Sequence, residues 1–320
     1  MFASVARGAR MYESFYLRAV SPQDPLGVWI RYTVLKRAGA APKGSLWFTL
    51  FDGSRERPVQ QKVTVAELAT PAAGWISIGT AAFGPDGAEG SCGEASWSLR
   101  AQAHEPELRH LTPAWLYRTA LPRTKLTSPA PAASFSGTVQ LAGGRTVRLE
   151  EWPGMIGHNW GSEHAERWIW LHGTAFESRP GAWLDVALGR IKLGGRMTPW
   201  VANGALSIDG RRYRLGGLAR RGLSVAESVE ACSVHLVGER GLSVDGRVEV
   251  PPGSAAGWRY FDPDGAEHDV VNCSIAKLRL EVALPGQRRP VELETSSGGA
   301  YELGMRERDH GVAIPPFPEG

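Results

Sequence analysis

Residues 155–185 gather the side chains with the most chemistry to offer: His158, Asn159 and Trp160, then Glu163 and His164, then Trp168 and Trp170, then Trp183 and Asp185. A carboxyl group among indoles can do one of two things. Held by a cation it is a structural ion pair. Desolvated and neutral it is an acid, able to protonate a carbon–carbon double bond while the indole faces stabilise the cation that forms. On a strand, residues two apart share a face, so Trp168 stands with Trp170 and Trp183 with Asp185. Leu184, Val186 and Leu188 occupy the opposite face, which implies a strand buried on both sides and a carboxyl group removed from water. Arg167 and Arg190 are the candidate partners if Asp185 is ionised; both states stay open. His158 either orients or re-protonates such an acid, or sits in a glycine-bounded turn and satisfies backbone groups. Glu163 and His164 read as a solvated loop, and Arg31 as either an exposed strand residue or a buried partner for a carboxylate.

Other chemistries are disfavoured by what the chain lacks. No G-x-G-x-x-G follows a strand, and the run from Gly39 to Gly44 continues with Ser45 where a phosphate-binding loop needs Lys. Gly241-Leu242-Ser243-Val244 continues with Asp245, so no nucleophile elbow is present. His158, Glu163 and His164 match no zinc-helix spacing, and the three cysteines, Cys92, Cys232 and Cys273, are far apart, so neither a metal nor a disulfide framework is expected. A net charge of +3 without a basic block argues against nucleic acid. No cofactor is implied.

These side chains must be placed by strands. Short alternating runs recur between glycine turns with a period of two. Residues 138–141 and 146–149 flank Ala142-Gly143-Gly144-Arg145, and residues 206–208 and 213–215 flank Asp209-Gly210, a favoured hairpin dipeptide. Helix is expected only over residues 63–68 and 105–110. Residues 106–131 hold Pro106, Pro113, Pro122, Pro129 and Pro131 and read as a crossing segment rather than a strand. Twelve tryptophans beside 39 glycines and 22 prolines set the character of the chain as aromatic bulk joined by turns. About 16 strands fit two barrels better than one. Arg7 and Arg10 are not followed by an apolar run, so no secretory signal is read, and no stretch is long and apolar enough for a membrane-spanning helix. A cytoplasmic protein is expected, with peripheral membrane contact and the oligomeric state left open.

Asn159-Trp160-Gly161 followed by Trp168-Ile169-Trp170 resembles the N-W-G and W-x-W signature of tocopherol cyclases. His158-x-Trp160 with Trp183-x-Asp185 is similar to the H-x-W and aromatic-x-Asp elements of carotenoid 1,2-hydratases. Their wider superfamily includes AttH-like proteins and fungal lipocalin-type Diels–Alderases. It opens with a strand like Tyr12-Glu13-Ser14-Phe15-Tyr16 and closes with one like Gly299-Ala300-Tyr301-Glu302. The resemblance implies an all-β chain of two tandem lipocalin-like antiparallel barrels, one over residues 1–163 and one over 164–320. A hydrophobic polyene or isoprenoid would be bound in a barrel or between the two. Carried over by position, Asp185 would be the proton donor, with His158 assisting it and Trp160, Trp168, Trp170 and Trp183 lining the substrate site. Two positions depart from the pattern: Trp183 stands where the hydratases have tyrosine, and Gly157 where an acidic residue often precedes the histidine. The expected activity is hydration or cyclisation by proton addition, the alternatives being a pericyclase that acts by shape and a lipid carrier without catalysis.

Overall fold

A computed structural model describes residues 10–69, 74–218 and 221–318; the expectation about a leader at the N-terminus falls on residues outside these. The described chain is all-β, with two large antiparallel sheets of twelve and ten strands. One curls into a nearly closed barrel and the other into a half-barrel. The last strand of the first sheet is Thr146–Gly161, and the second sheet begins at Arg167–Gly173.

The two halves are wired alike. In the first, Met11–Val20 pairs on one side with Leu26–Lys36 and on the other with the half's final strand, Thr146–Gly161. In the second, Arg167–Gly173 pairs with Trp183–Arg190 and with the half's final strand, Val291–Met305. Both expected hairpins form: Thr124–Gln140 pairs with Thr146–Gly161, and Val201–Ile208 with Arg211–Gly216. Asp209 and Gly210 adopt φ of 50° and 72°, the left-handed pair that a two-residue hairpin loop requires.

Three expectations about elements are corrected. Residues 63–65 belong to strand Val59–Val65 and residue 68 to strand Leu68–Ala69, with a bend between, and residues 105–110 contribute only the short strand Leu108–Arg109. The proline-rich crossing ends early, because Thr124–Gln140 is a strand that includes Pro129 and Pro131. Its pairing register shifts between Thr127 and Ala130 and again between Ala130 and Ala133, so these prolines sit at bulges, where a missing N–H breaks no ladder bond.

Alternation sorts each strand into a barrel face and an interbarrel face. On Met11–Val20, Phe15, Leu17 and Ala19 join the first barrel's core, while Tyr12, Tyr16 and Arg18 face the second barrel. On Arg167–Gly173, Ile169 and Leu171 fill the second core, and Trp168, Trp170 and His172 face back. Tryptophans knit the seam: Trp29 and Trp47 lie with ring centres 5.9 and 5.2 Å from that of Trp258. Arg18, wholly buried, donates to His172 Nδ1 at 2.9 Å and to the carbonyls of Ser274 and Gly299, which ties the first barrel to the second. Such a desolvated guanidinium, bonded to the second barrel through both terminal nitrogens, makes the interface a fixed one.

Candidate active site

Between the outer faces of the two sheets lies a cavity of about 390 Å³, within the usual range for small-molecule sites. Its wall is mostly apolar. Leu111, Leu116, Leu121, Leu126, Leu193 and Leu218 line one part, and three of these reach the surface, with Leu121 47%, Leu193 54% and Leu218 62% exposed. They are three of the four large hydrophobic side chains exposed among the described residues, which marks this part as the mouth.

The polar groups gather at the other part, round Tyr260. Its hydroxyl donates to Glu302 Oε2 at 3.2 Å, and the Arg31 guanidinium lies 4.1 Å from its ring centre. Glu302 also accepts from the Trp168 indole at 2.9 Å and from the Asn272 amide at 3.1 Å. Trp170 is its cross-strand neighbour. Arg31 is buried and donates twice to Ser14 Oγ, at 3.1 and 2.8 Å, so of the two readings it is the buried one, stacked on rings. Tyr12 and Tyr16 complete this end, and burial raises both phenols above their ordinary value.

Two glycines make room for the aromatic wall. A Cβ at Gly157 would fall 2.1 Å from the Tyr16 ring, and one at Gly304 would fall 2.1 Å from the Trp168 indole. Each glycine is the cross-strand partner of the ring that covers it. The residue that departs from the hydratase pattern at position 157 therefore has a steric role: it lets Tyr16 lie flat on its neighbour.

The sequence-derived candidates divide. Trp168 and Trp170 line the cavity, and Asp185, His158, Trp160 and Trp183 are not part of its lining. Asp185 is wholly buried behind Trp170, whose indole N–H donates to Oδ1 at 3.0 Å. Ser128 donates to Oδ2, and His110 Nε2 lies 3.3 Å from Oδ1. Burial pushes this carboxyl up, but His110, His172 and Ser128 outweigh it and hold the group at about 2, below the ordinary carboxylate value. Of the two states left open, the lowered value favours the ionised one, and the ring beside the carboxylate is that of His110 rather than the guanidinium of Arg167 or Arg190.

His158 and Trp160 point the other way. They are cross-strand partners of Phe15 and Glu13 and share the first barrel's inward side. The His158 ring stacks on Phe15 at 4.0 Å and on Trp160 at 4.6 Å, and its Nε2 is 2.8 Å from Glu13 Oε1. Trp183 packs with Leu108 and Ala205 and has Arg212 5.1 Å from its ring centre.

His164 is not a solvated loop residue. Its ring lines the cavity and stacks on Tyr12 at 4.1 Å and on Trp168 at 5.2 Å. Nδ1 is 2.6 Å from Asp262 Oδ1, and the second Asp262 oxygen is 2.9 Å from His268 Nε2. His164, Asp262 and His268 are the one set of three ligand-type side chains, among the described residues, with atoms within 4.8 Å of one another. As bonded they form a chain rather than a ligand set: Asp262 is the acceptor, so the two nitrogens that face it carry protons.

Sequence reasoning missed Glu302, Tyr16, Tyr260 and the His164 partners. A signal existed for two of them. Tyr16 and Glu302 lie in the opening and closing motifs of the resemblance, and alternation puts each on the face opposite the barrel core. Asp262 and His268 lie 98 and 104 positions after His164, and no local spacing announces them.

The chain matches no protein-family model. Among curated proteins it is similar to the uncharacterized protein Rv0493c of Mycobacterium tuberculosis strain ATCC 25618 / H37Rv, 26% identical over 312 residues, which is 96% of this chain and 89% of that one. MT0513 of strain CDC 1551 / Oshkosh matches to the same extent. Among solved structures, CghA with Sch210972 superposes with a TM-score of 0.64 at 11% identity, covering 92% of this chain and 88% of its own. An AttH-like protein from Nitrosomonas europaea gives 0.57 at 12% identity and 95% of both chains. Kievitone hydratase from Nectria haematococca gives 0.54 at 10% identity, over 92% and 88%. At such identities the likeness is one of architecture: the chain shares the fold of CghA, the AttH-like protein and kievitone hydratase.

Proposed function

We propose that the protein binds an apolar polyene or isoprenoid in the interbarrel cavity and hydrates or cyclises it by adding a proton to a carbon–carbon double bond. The observation that carries this reading is the division of the cavity into a leucine-lined mouth and an aromatic end that holds one carboxyl group, Glu302. The mouth suits a hydrocarbon chain. The far end suits the reacting bond, where Glu302, once substrate displaces one of its three donors and the carboxylate takes up a solvent proton, fills the donor role expected of Asp185, and the faces of Tyr12, Trp168, Trp170 and Tyr260 stabilise positive charge. Asp185 then acts through Trp170, as the group that fixes the indole's orientation.

The test is conversion in deuterium oxide. The purified protein is incubated with squalene, geranylgeraniol, lycopene and prenylated phenols, and products are read by mass spectrometry. Proton addition leaves one non-exchangeable deuterium per turnover, and Glu302→Gln abolishes product while ligand affinity stays within a few-fold. Product without deuterium would replace this reading by a second one, a pericyclic reaction steered by shape. That second reading is favoured by the rigid aromatic wall and by the fold shared with CghA, solved with Sch210972. Tight binding with no conversion of any compound leaves a carrier.

A further inference from the structure

The structure assigns His164 as a general base of this cavity, held in one tautomer by the buried Asp262–His268 pair. The assignment rests on geometry. His164 donates from both its backbone N–H, at 2.8 Å, and its ring Nδ1, at 2.6 Å, to the same Asp262 oxygen, which fixes the side chain and places the ring proton on Nδ1. The other ring nitrogen, Nε2, is buried and has no hydrogen-bond partner, although the ring lines the cavity. A buried lone pair without a donor is costly in a purely structural residue, and useful in one that waits for a substrate proton. Asp262 is fully buried and takes a third hydrogen bond, on its other oxygen, from His268, also fully buried, so the carboxylate cannot swing away from His164.

The surroundings favour a neutral ring. Burial lowers the His164 imidazole to about 4, against the opposing pull of Asp262, while His268 and Arg31 add to the lowering. Tyr12, Trp168 and Tyr260 are its other close ring neighbours. At neutral pH the ring therefore carries one proton, on the nitrogen that faces Asp262, and offers a lone pair on the other.

This inference deepens the proposed proton-addition reading and depends on it for the identity of the step. Glu302 gives its proton to one alkene carbon, and the pi electron pair becomes the new C–H bond. In hydration, a water oxygen then bonds to the cationic carbon, and the O–H bond that breaks delivers its proton to His164 Nε2 while the electron pair stays on oxygen. In cyclisation, Nε2 takes the proton from a carbon next to the cation, and that C–H pair becomes a double bond. Either way one proton leaves Glu302 and one reaches His164, and its return through solvent resets both groups. Asp262 and His268 are positioning residues.

The test has two arms. In ¹⁵N-histidine-labelled protein at pH 7, long-range nitrogen–carbon-bound-proton correlations should show His164 neutral and protonated at Nδ1. A His164 imidazolium, or a ring protonated at Nε2, would overturn the assignment, and this arm needs no substrate, so it decides even if no compound of the panel is converted. Titration with Zn²⁺ alone is read in the same spectra: stoichiometric uptake that shifts both His164 and His268 would overturn it in favour of a metal centre. In the second arm, on any compound the wild type converts, His164→Ala should lose about 10²-fold or more in turnover and keep ligand affinity within a few-fold. Added imidazoles should restore the rate in the order of their basicity. Unchanged turnover, or rescue indifferent to basicity, would overturn it.

Discussion

Acid should unfold this protein well above the pH at which carboxylates titrate, and two buried histidines set the size of the effect. His172 accepts from Arg18 at Nδ1 and lies 3.3 Å from the Pro131 carbonyl at Nε2, so its ring is neutral in the native state. Burial and the Arg18 charge lower its pKa from 6.5 to about 4, and burial lowers that of His164 to about 4 as well. Between those limits the unfolded chain binds a proton at each position and the native chain does not. Stability is thus complete above pH 6.5 and is lost as pH falls toward 4. Reversing such a shift costs about 3 to 4 kcal/mol for each ring, and the two together reach about 7 kcal/mol, comparable with the whole stability of a typical domain. In urea titrations from pH 7 to 5, the free energy of unfolding should fall with a limiting slope of about 2.7 kcal/mol per pH unit, the mark of two protons. His172→Gln should remove one proton and halve that slope, whatever it does to stability at pH 7. A wild-type stability that stays flat from pH 7 to 5, or a slope unaltered in His172→Gln, would refute the argument.

Asp185→Asn should cost about 3 kcal/mol, since it leaves His110 without its carboxylate partner deep in the protein; thermal unfolding reads the loss, and red-shifted Trp170 fluorescence its cause. Gly304→Ala and Gly157→Ala should each cost about 1–3 kcal/mol by forcing a wall ring off its neighbour. Both should weaken binding of an apolar fluorescent polyene, and the same substitution at Gly286, where nothing lies within 4 Å of the added carbon, should not affect binding. Trp168→Ala should weaken polyene binding at least tenfold with the fold intact by circular dichroism. Trp160→Ala should leave binding unchanged, because that indole stacks inside the first barrel.

What the sequence disclosed and what it withheld differ in kind. Glycine turns and period-two alternation are local, so the all-β architecture and the hairpins at 142–145 and 209–210 could be read from spacing. The helices expected at 63–68 and 105–110 failed because five or six residues cannot show a period, and sheet pairing decided them. Asp185 is buried as expected, but the indole expected beside it was Trp183 of its own strand, and the one that donates to it is Trp170 of the adjoining strand. Its partners were invisible: His110 and Ser128 come from the other half of the chain, and nothing near Asp185 points to them. His164 shows the same limit. Its neighbours Glu163 and Ser162 suggested a wet loop, yet its surroundings are made by Tyr12, Asp262 and His268, three segments that meet only in the folded molecule. Alternation also cannot say which face of a strand looks into a barrel and which looks at a second barrel. The resemblance put His158 and Trp160 in the same pocket as Trp168 and Trp170, and alternation could not correct it.

Because the chamber is bounded mainly by the outer surfaces of two sheets, most of its lining is separate from the packing inside either one, Trp29, Leu188 and Tyr260 being shared. Leu184, Val186 and Leu188 keep one barrel filled while Asp185 and Ala187, on the same strand, look outward. A lineage can therefore exchange wall residues for new chemistry with little penalty in folding, and a designer could do the same by altering alternate positions on four or five strands.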